Sequence, residues 1–278
     1  MRSWSVLQSV RESDVRSEPY PHVIIRNALP DDLADELTKR FPIGLFDGAK
    51  NNHRMNIDSS DALSRNDIPA PWSEFIKFHT SQQFLDELVS VFGAHIVKLY
   101  PHIYPSRESL SKLKAGLRNL DSYKRCDVLI DALISVNSPV AQVSSVRKVH
   151  VDKPNKLFVG LYYLRQPQDL STGGSLQICQ WKSDYDERGK LRNYTEGLPA
   201  DHFELIDEIA YENNVCVLFL NSMDSLHGVT PRSITGNFRT FANLVGEVDH
   251  ALFEKEAPAE RWRKKIDRIR AKYFGSRQ

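Results

Sequence analysis

Cysteine is scarce in this 278-residue chain: Cys126, Cys179 and Cys216 make an odd count with no C-x-x-C pair. That argues against a disulfide framework and against structural zinc, and leaves the three as small apolar filler in a reducing compartment. Long hydrophobic runs are missing too. The strongest apolar stretch, residues 215–220, is far short of the roughly 20 residues a membrane-crossing helix needs. Residues 1–19 are polar and charged, without the apolar centre of a secretory signal, so the expected location is the cytoplasm. Charge of one sign is also lacking, since 37 Lys and Arg face 36 Asp and Glu for a net +1. Nothing global recommends nucleic acid or an acidic membrane as partner, and no basic groove interleaved with aromatics is evident.

What is present is the composition of a globular protein, 41% hydrophobic and 26% charged. Pro21 to Ile25 reads as a strand, followed by a helix over about 30–40 with Asp31 and Asp32 at its positive end and Leu33, Leu37 and Phe41 on one face. Residues 43–70 read as loop, and helical patterns return at about 72–93 and 107–121. Residues 1–125 are therefore expected to be mostly helical support. From 126 to 248, short apolar segments between turn signals predict a β-sandwich or barrel. The polar run 182–212 interrupts them, long enough for a lid or substrate-binding insertion and equally readable as a solvated loop. At 257–275, Trp262, Ile266, Ile269 and Tyr273 share one face of an expected amphipathic helix whose other face is basic. Its simplest reading is a helix docked on the core with solvated basic residues.

The chemistry-bearing residues begin at His150-Val-Asp152, in an expected strand, where residues two apart project from the same face. His227 follows the apolar run Val215 to Leu220 and the break Asn221-Ser222. Two imidazoles and one carboxylate form the set that holds non-haem Fe(II) while leaving coordination positions open. Twelve residues beyond His227 stands Arg239, opening the strand pattern Arg239 to Val245 after Gly236-Asn237. Its planar fork suits a carboxylate. Gly173-Gly174 reads as a hairpin turn between Leu164 and Leu176 and receives no chemistry.

Five ordered blocks carry a family likeness: His150-Val-Asp152-Lys-Pro154, Lys156 to Arg165 with Tyr162-Tyr163, Gly173-Gly174-Ser-Leu, His227-Gly-Val229-Thr-Pro231, and Arg239. On these the chain resembles the 2-oxoglutarate-dependent Fe(II) oxygenases, and more narrowly their prolyl-hydroxylase-like branch. The resemblance implies an α+β fold with a mainly β core, a distorted double-stranded β-helix or jelly-roll-like barrel, with N-terminal helices and a C-terminal helix around it, all of 1–278 forming one oxygenase domain. It implies His150, Asp152 and His227 as iron ligands, and Arg239 and Tyr162 as the residues that hold the distal carboxylate of 2-oxoglutarate. Arg239 lies further beyond the last histidine than is usual in the family, so Arg232 competes for that role. Asn137, on the strand that starts near Ala132, is expected to line the cosubstrate pocket. The implied cofactors are Fe(II), 2-oxoglutarate and O2, with ascorbate in support, and the implied reaction is hydroxylation of an unactivated C–H bond with release of succinate and CO2. Desaturation, ring closure and epimerisation stay open. Halogenases of the group replace the carboxylate ligand with a small residue, so Asp152 argues against halogenation. The expected substrate is a small molecule such as an amino-acid derivative, saccharide or biosynthetic intermediate. A protein or peptidyl side chain is the alternative within the same chemistry; a cupin-like metal enzyme without 2-oxoglutarate and an inactive jelly-roll binding module are the alternatives outside it.

Overall fold

The computed structural model describes residues 4–182, 195 and 197–253. The expected helix 257–275 lies outside the described residues, as do 183–194 and 196 of the expected insertion. In chain order the elements are β1 (His22–Arg26), α1 (Asp31–Lys39), β2 (Arg54–Ile57), α2 (Ser59–Ser64), α3 (Ala70–His79), α4 (Gln82–Leu99), α5 (Arg107–Leu110), β3 (Ala115–Leu117), β4 (Val128–Asn137), β5 (Lys156–Tyr163), β6 (Leu176–Trp181), β7 (Phe203–Ile209), β8 (Val215–Leu220), β9 (His227–Val229) and β10 (Arg239–Glu247). The architecture is mixed α/β, and no described helix is long and apolar enough to cross a membrane.

The larger sheet runs β1-β8-β5-β10-β4-β2, antiparallel throughout, with β3 added parallel to β4. The smaller runs β7-β6-β9. Its strands β6 and β7 share a core with the central strands of the larger sheet. Val159, Leu161, Tyr163, Val217, Phe219 and Phe241 pack with Leu176, Ile178 and Ile209. On the opposite face of the larger sheet, Phe158, Tyr162, Leu218 and Leu244 meet Trp72, Phe75, Phe84 and Phe92 from α3 and α4. Both faces of β5 and β8 are thus covered, which is why their sequences read as unbroken apolar runs rather than alternating ones.

Several expected boundaries are corrected. The pattern at 72–93 is two helices, parted where the Ser81 hydroxyl accepts from Phe84 N–H (3.3 Å) and donates to the Phe78 carbonyl (2.7 Å). The helix expected over 107–121 ends at Leu110, and β3 follows it. Leu120, within the range expected to be helical, is 71% exposed. Residues 43–70, read as loop, contain β2 and α2. The insertion 182–212 contains β7, an edge strand whose mostly exposed residues gave no alternation to read.

His79 ties the helical layer together and sets a pH dependence. It is fully buried against Phe75, its Nδ1 on the Phe75 carbonyl (2.9 Å) and its Nε2 accepting from Val6 N–H (3.3 Å). Both contacts use the neutral ring, and burial pulls the pKa down to about 3. An unfolded imidazole titrates near 6.5, so below that pH the unfolded chain takes up a proton that the folded chain refuses. Stability is full above pH 6.5 and falls as pH drops toward 3, by up to about 1.4 kcal/mol per pH unit. Thermal melts of metal-free protein at pH 7, 6 and 5 should show this loss, and His79→Phe should make the slope shallower; an unchanged slope contradicts the assignment.

Candidate metal centre

His150 and His227 come together through their backbones. His150 N–H donates to the His227 carbonyl (2.9 Å) and His227 N–H to the His150 carbonyl (3.0 Å), an isolated antiparallel bridge. The strand expected at His150–Asp152 is not formed: among the described residues this bridge is its only strand-like pairing, and Asp152 lies in the loop before β5. The alternation survives without a ladder, because Val151 packs the other way, among Cys179, Trp181, Leu198 and Leu226. His227 opens β9, the short edge strand paired to β6.

Each imidazole is held by one ring nitrogen. His150 Nδ1 lies 2.9 Å from the Lys148 carbonyl and His227 Nδ1 2.9 Å from the Ser225 carbonyl. A carbonyl only accepts, so both Nδ1 atoms carry the proton and both Nε2 lone pairs are free. Those Nε2 atoms face one carboxylate, at 3.8 Å from Asp152 Oδ1 for His150 and 3.6 Å from Asp152 Oδ2 for His227. One ligand atom from each residue falls within a sphere of contacts no wider than 4.8 Å. Burial pulls the His150 pKa down to about 3, helped by His227, and burial likewise lowers His227. Burial pushes the Asp152 carboxyl up, but the charge of Lys156, whose Nζ donates to Oδ1 at 3.0 Å, outweighs it and holds the group well below the usual carboxylate range. Neutral imidazoles beside an ionised carboxylate are the protonation state that a divalent metal requires. The donor set therefore fits Fe(II).

The centre opens into a cavity of about 600 Å³ that also receives Arg239, Asn137, Phe241 and Asn243. Arg239 stands at the head of β10, opposite Asn137 on β4. It is 2% exposed; its Nη1 donates to Asn137 Oδ1 (3.1 Å), while among the described residues Nε and Nη2 have no hydrogen-bond partner. Tyr163, Tyr211 and Phe241 surround the guanidinium, with ring centres 4.7, 5.0 and 5.0 Å from Cζ. Among the described residues, Asn137 Nδ2 and the Tyr163 hydroxyl are likewise buried without a hydrogen-bond partner. These four donor atoms, two of them on the guanidinium itself, suit an acceptor-rich anion, since unpaired buried donors are costly.

Tyr162 is a correction. It lies on the helix-facing side of β5, stacked on Phe75 (5.6 Å), its hydroxyl donating to Asn214 Oδ1 (3.0 Å). The register Phe241↔Tyr163 puts Tyr163, not Tyr162, on the face of Arg239. On the expectation that this cavity takes 2-oxoglutarate, Tyr163→Phe should weaken its binding about tenfold, the scale of one hydrogen bond to a charged group. Tyr162→Phe should leave that binding unchanged and lower stability by about 1 kcal/mol. Calorimetric titration and melts of both variants check this, and a reversed order sinks it.

Arg232 is also corrected. It is buried on Asp169 (2.7 Å) and Ser171 Oγ (2.9 Å) and does not line the cavity, so its charge is already neutralised within the protein. Gly173-Gly174 is not a hairpin turn, because β5 and β6 belong to different sheets and the segment crosses between them. Both glycines have positive φ, 73° and 71°. A Cβ on Gly174 would stand 3.3 Å from Arg239 Cδ and Nε, so the glycine keeps room beside the guanidinium. Sequence reasoning missed Tyr163, Gly174 and Tyr211, whose hydroxyl accepts from Thr240 N–H (2.8 Å). The paired tyrosines and paired glycines were visible, but not which member faces inward.

No family model matches the chain, and no curated protein matches it. Solved structures do. A Pseudomonas putida prolyl-4-hydroxylase is similar at 13% identity and TM-score 0.43, covering 82% of this chain and 93% of its own. A Trichoplax adhaerens prolyl hydroxylase, solved with a hypoxia-inducible-factor peptide, is similar at 15% and 0.39, covering 82% and 84%. HygX from Streptomyces hygroscopicus, solved with iron bound, is similar at 10% and 0.39, covering 84% of each chain.

Proposed function

We propose that this chain is a 2-oxoglutarate-dependent non-haem Fe(II) dioxygenase on a distorted double-stranded β-helix, with 1–278 as a single domain, and that it hydroxylates an unactivated C–H bond of a small molecule. The observation that carries the reading is the convergence of two Nε2 lone pairs and one ionised carboxylate in the same cavity as a buried, under-satisfied guanidinium. Together, bound Fe(II), 2-oxoglutarate and O2 supply oxidative decarboxylation to succinate and CO2 coupled to C–H hydroxylation.

The chain's own residues do the positioning. His150, His227 and Asp152 grip the metal from one side, and the Lys148 and Ser225 carbonyls fix the imidazole tautomers, as second partners of metal-bound histidines generally do. Lys156 holds Asp152 by Oδ1, keeping it ionised. Arg239, Asn137 and Tyr163 would receive the far carboxylate of the diacid and so orient it. Val159, Leu161, Leu176 and Val229 supply apolar wall, which limits water beside the reacting centre. A cavity of this size matches a small-molecule site.

The test is succinate formation from labelled 2-oxoglutarate, without added substrate, in the presence of Fe(II) and ascorbate. Metal- and cosubstrate-dependent succinate is expected. Binding of metal and diacid with no turnover in several folded preparations would favour a binding module, and failure to bind the diacid would favour a cupin-like metal protein.

A further inference from the structure

The charge lining the cavity does not balance. Arg54, Arg118, Arg147, Lys153, Lys156 and Arg239 face it, against Asp152 and Glu247. Arg118 is committed to Asp131 (3.1 Å) and Glu247 (3.2 Å), and Lys156 to Asp152 (3.0 Å). The inference rests on the reading above, under which Arg239 takes the cosubstrate. A divalent metal and a dicarboxylate then cancel one another. Three cations remain, Arg54, Arg147 and Lys153, with no carboxylate partner among the described residues. A chain of net charge +1 has concentrated positive charge in one cleft. Low-dielectric walls focus such a field on whatever enters.

Two of the three are placed to grip. Arg54 on β2 stands opposite Asn137, which stands opposite Arg239, so the three form one row across adjacent strands. The Arg54 guanidinium lies 5.1 Å from the centre of the Phe241 ring, the same ring that Arg239 approaches at 5.0 Å. Its Nε also reaches Asn56 Oδ1 (3.3 Å). Stacking and this bond orient the fork, and a pre-oriented fork loses less entropy when it binds an oxyanion. Arg147, three residues before His150, donates from Nη2 to the Thr195 carbonyl (2.6 Å), which fixes part of its fork while it lines the cavity. Lys153 is an exposed cation with no side-chain hydrogen bond among the described residues and contributes field rather than geometry.

We propose that the substrate entering this cavity carries an anionic headgroup, a carboxylate or a phosphate, received by Arg54 and Arg147. Neutral saccharides and unmodified apolar side chains are then poor occupants, and the C–H bond to be oxidised lies on the part of the substrate directed away from that headgroup, toward His150 and His227.

The probes are benzoate, phenyl phosphate and benzamide, two anions and a neutral isostere of one of them. Each is titrated calorimetrically into the full chain loaded with Mn(II) and saturating 2-oxoglutarate, which blocks Arg239 without turnover. Both anions are expected to bind, and benzamide at least about tenfold more weakly, the scale of one charge-assisted contact. Arg54→Met and Arg147→Met should each weaken the anions by about tenfold while leaving benzamide unchanged, and raised salt should weaken the anions only. The tighter anion identifies the headgroup. Benzamide binding as tightly as benzoate overturns the proposal, as does no anion binding to the wild type, or an Arg54→Met/Arg147→Met double variant that binds the anions like the wild type. Titrating 2-oxoglutarate alone reads the dioxygenase assignment separately. If it fails to bind, the anion titrations repeated without it still decide whether Arg54 and Arg147 hold an oxyanion.

Discussion

Asp152→Ala should abolish succinate formation, by about a thousandfold or more, and should cost at least a comparable factor in Fe(II) affinity. Asp152 is the one anion among the three candidate ligands, and its charge is secured by Lys156 at 3.0 Å. Without it, two neutral nitrogens face a divalent ion that has shed water, and Lys156 adds repulsion. A thousandfold corresponds to about 4 kcal/mol, a modest share of the attraction between a carboxylate and a dication at contact, even at an effective dielectric constant of about 20. Asp152→Asn separates charge from packing. It keeps the shape and an acceptor for Lys156, and it should fail nearly as completely. Titration of the apo-protein with Fe(II) under anaerobic conditions, alongside turnover, reads both quantities. An alanine variant that retains its metal means the ligand set is wrong.

Arg239→Met should raise the dissociation constant for 2-oxoglutarate by about a hundredfold or more while leaving Fe(II) affinity unchanged. The loss combines a charge-assisted pair in a buried site with the hydrogen bonds from Nε and Nη2 that have no other partner, about 3 kcal/mol in all. Methionine suits the place it leaves, since Tyr163, Tyr211 and Phe241 already form an aromatic cage around Cζ. Removing donors that the cosubstrate-free protein does not satisfy should hold or raise its melting temperature. Binding weakened a hundredfold in a protein at least as stable separates a receptor from a structural ion pair. An unchanged dissociation constant would return the role to another cation.

The metal ligands were legible because spacing survives changes of local structure. His150 and Asp152 point together in an extended loop as they would in a strand, and His227 needed only an apolar strand before it. The place of Arg239 in the cavity was legible for a similar reason, as a cation at the first position of a strand pattern. Tyr162 and Tyr163 show where this stops. A strand apolar on both faces carries no mark of which parity looks inward, and that is set by its pairing with β10, which is not a local property. The same limit hid β7, whose pairing with β6 is made by backbone groups while most of its side chains face solvent. It also explains the misreading of Gly173-Gly174, whose positive φ was foreseeable but whose neighbour, Arg239, is 65 residues away along the chain.

The bridge between His150 and His227 has a further consequence. Because each histidine's peptide group is hydrogen-bonded to the other's, and each ring is tethered by its own nearby carbonyl, the two donors are set by the polypeptide rather than by an ion. A cation that departs leaves behind a seat already shaped for its return, so loading and unloading are exchanges with solvent that do not require the chain to refold.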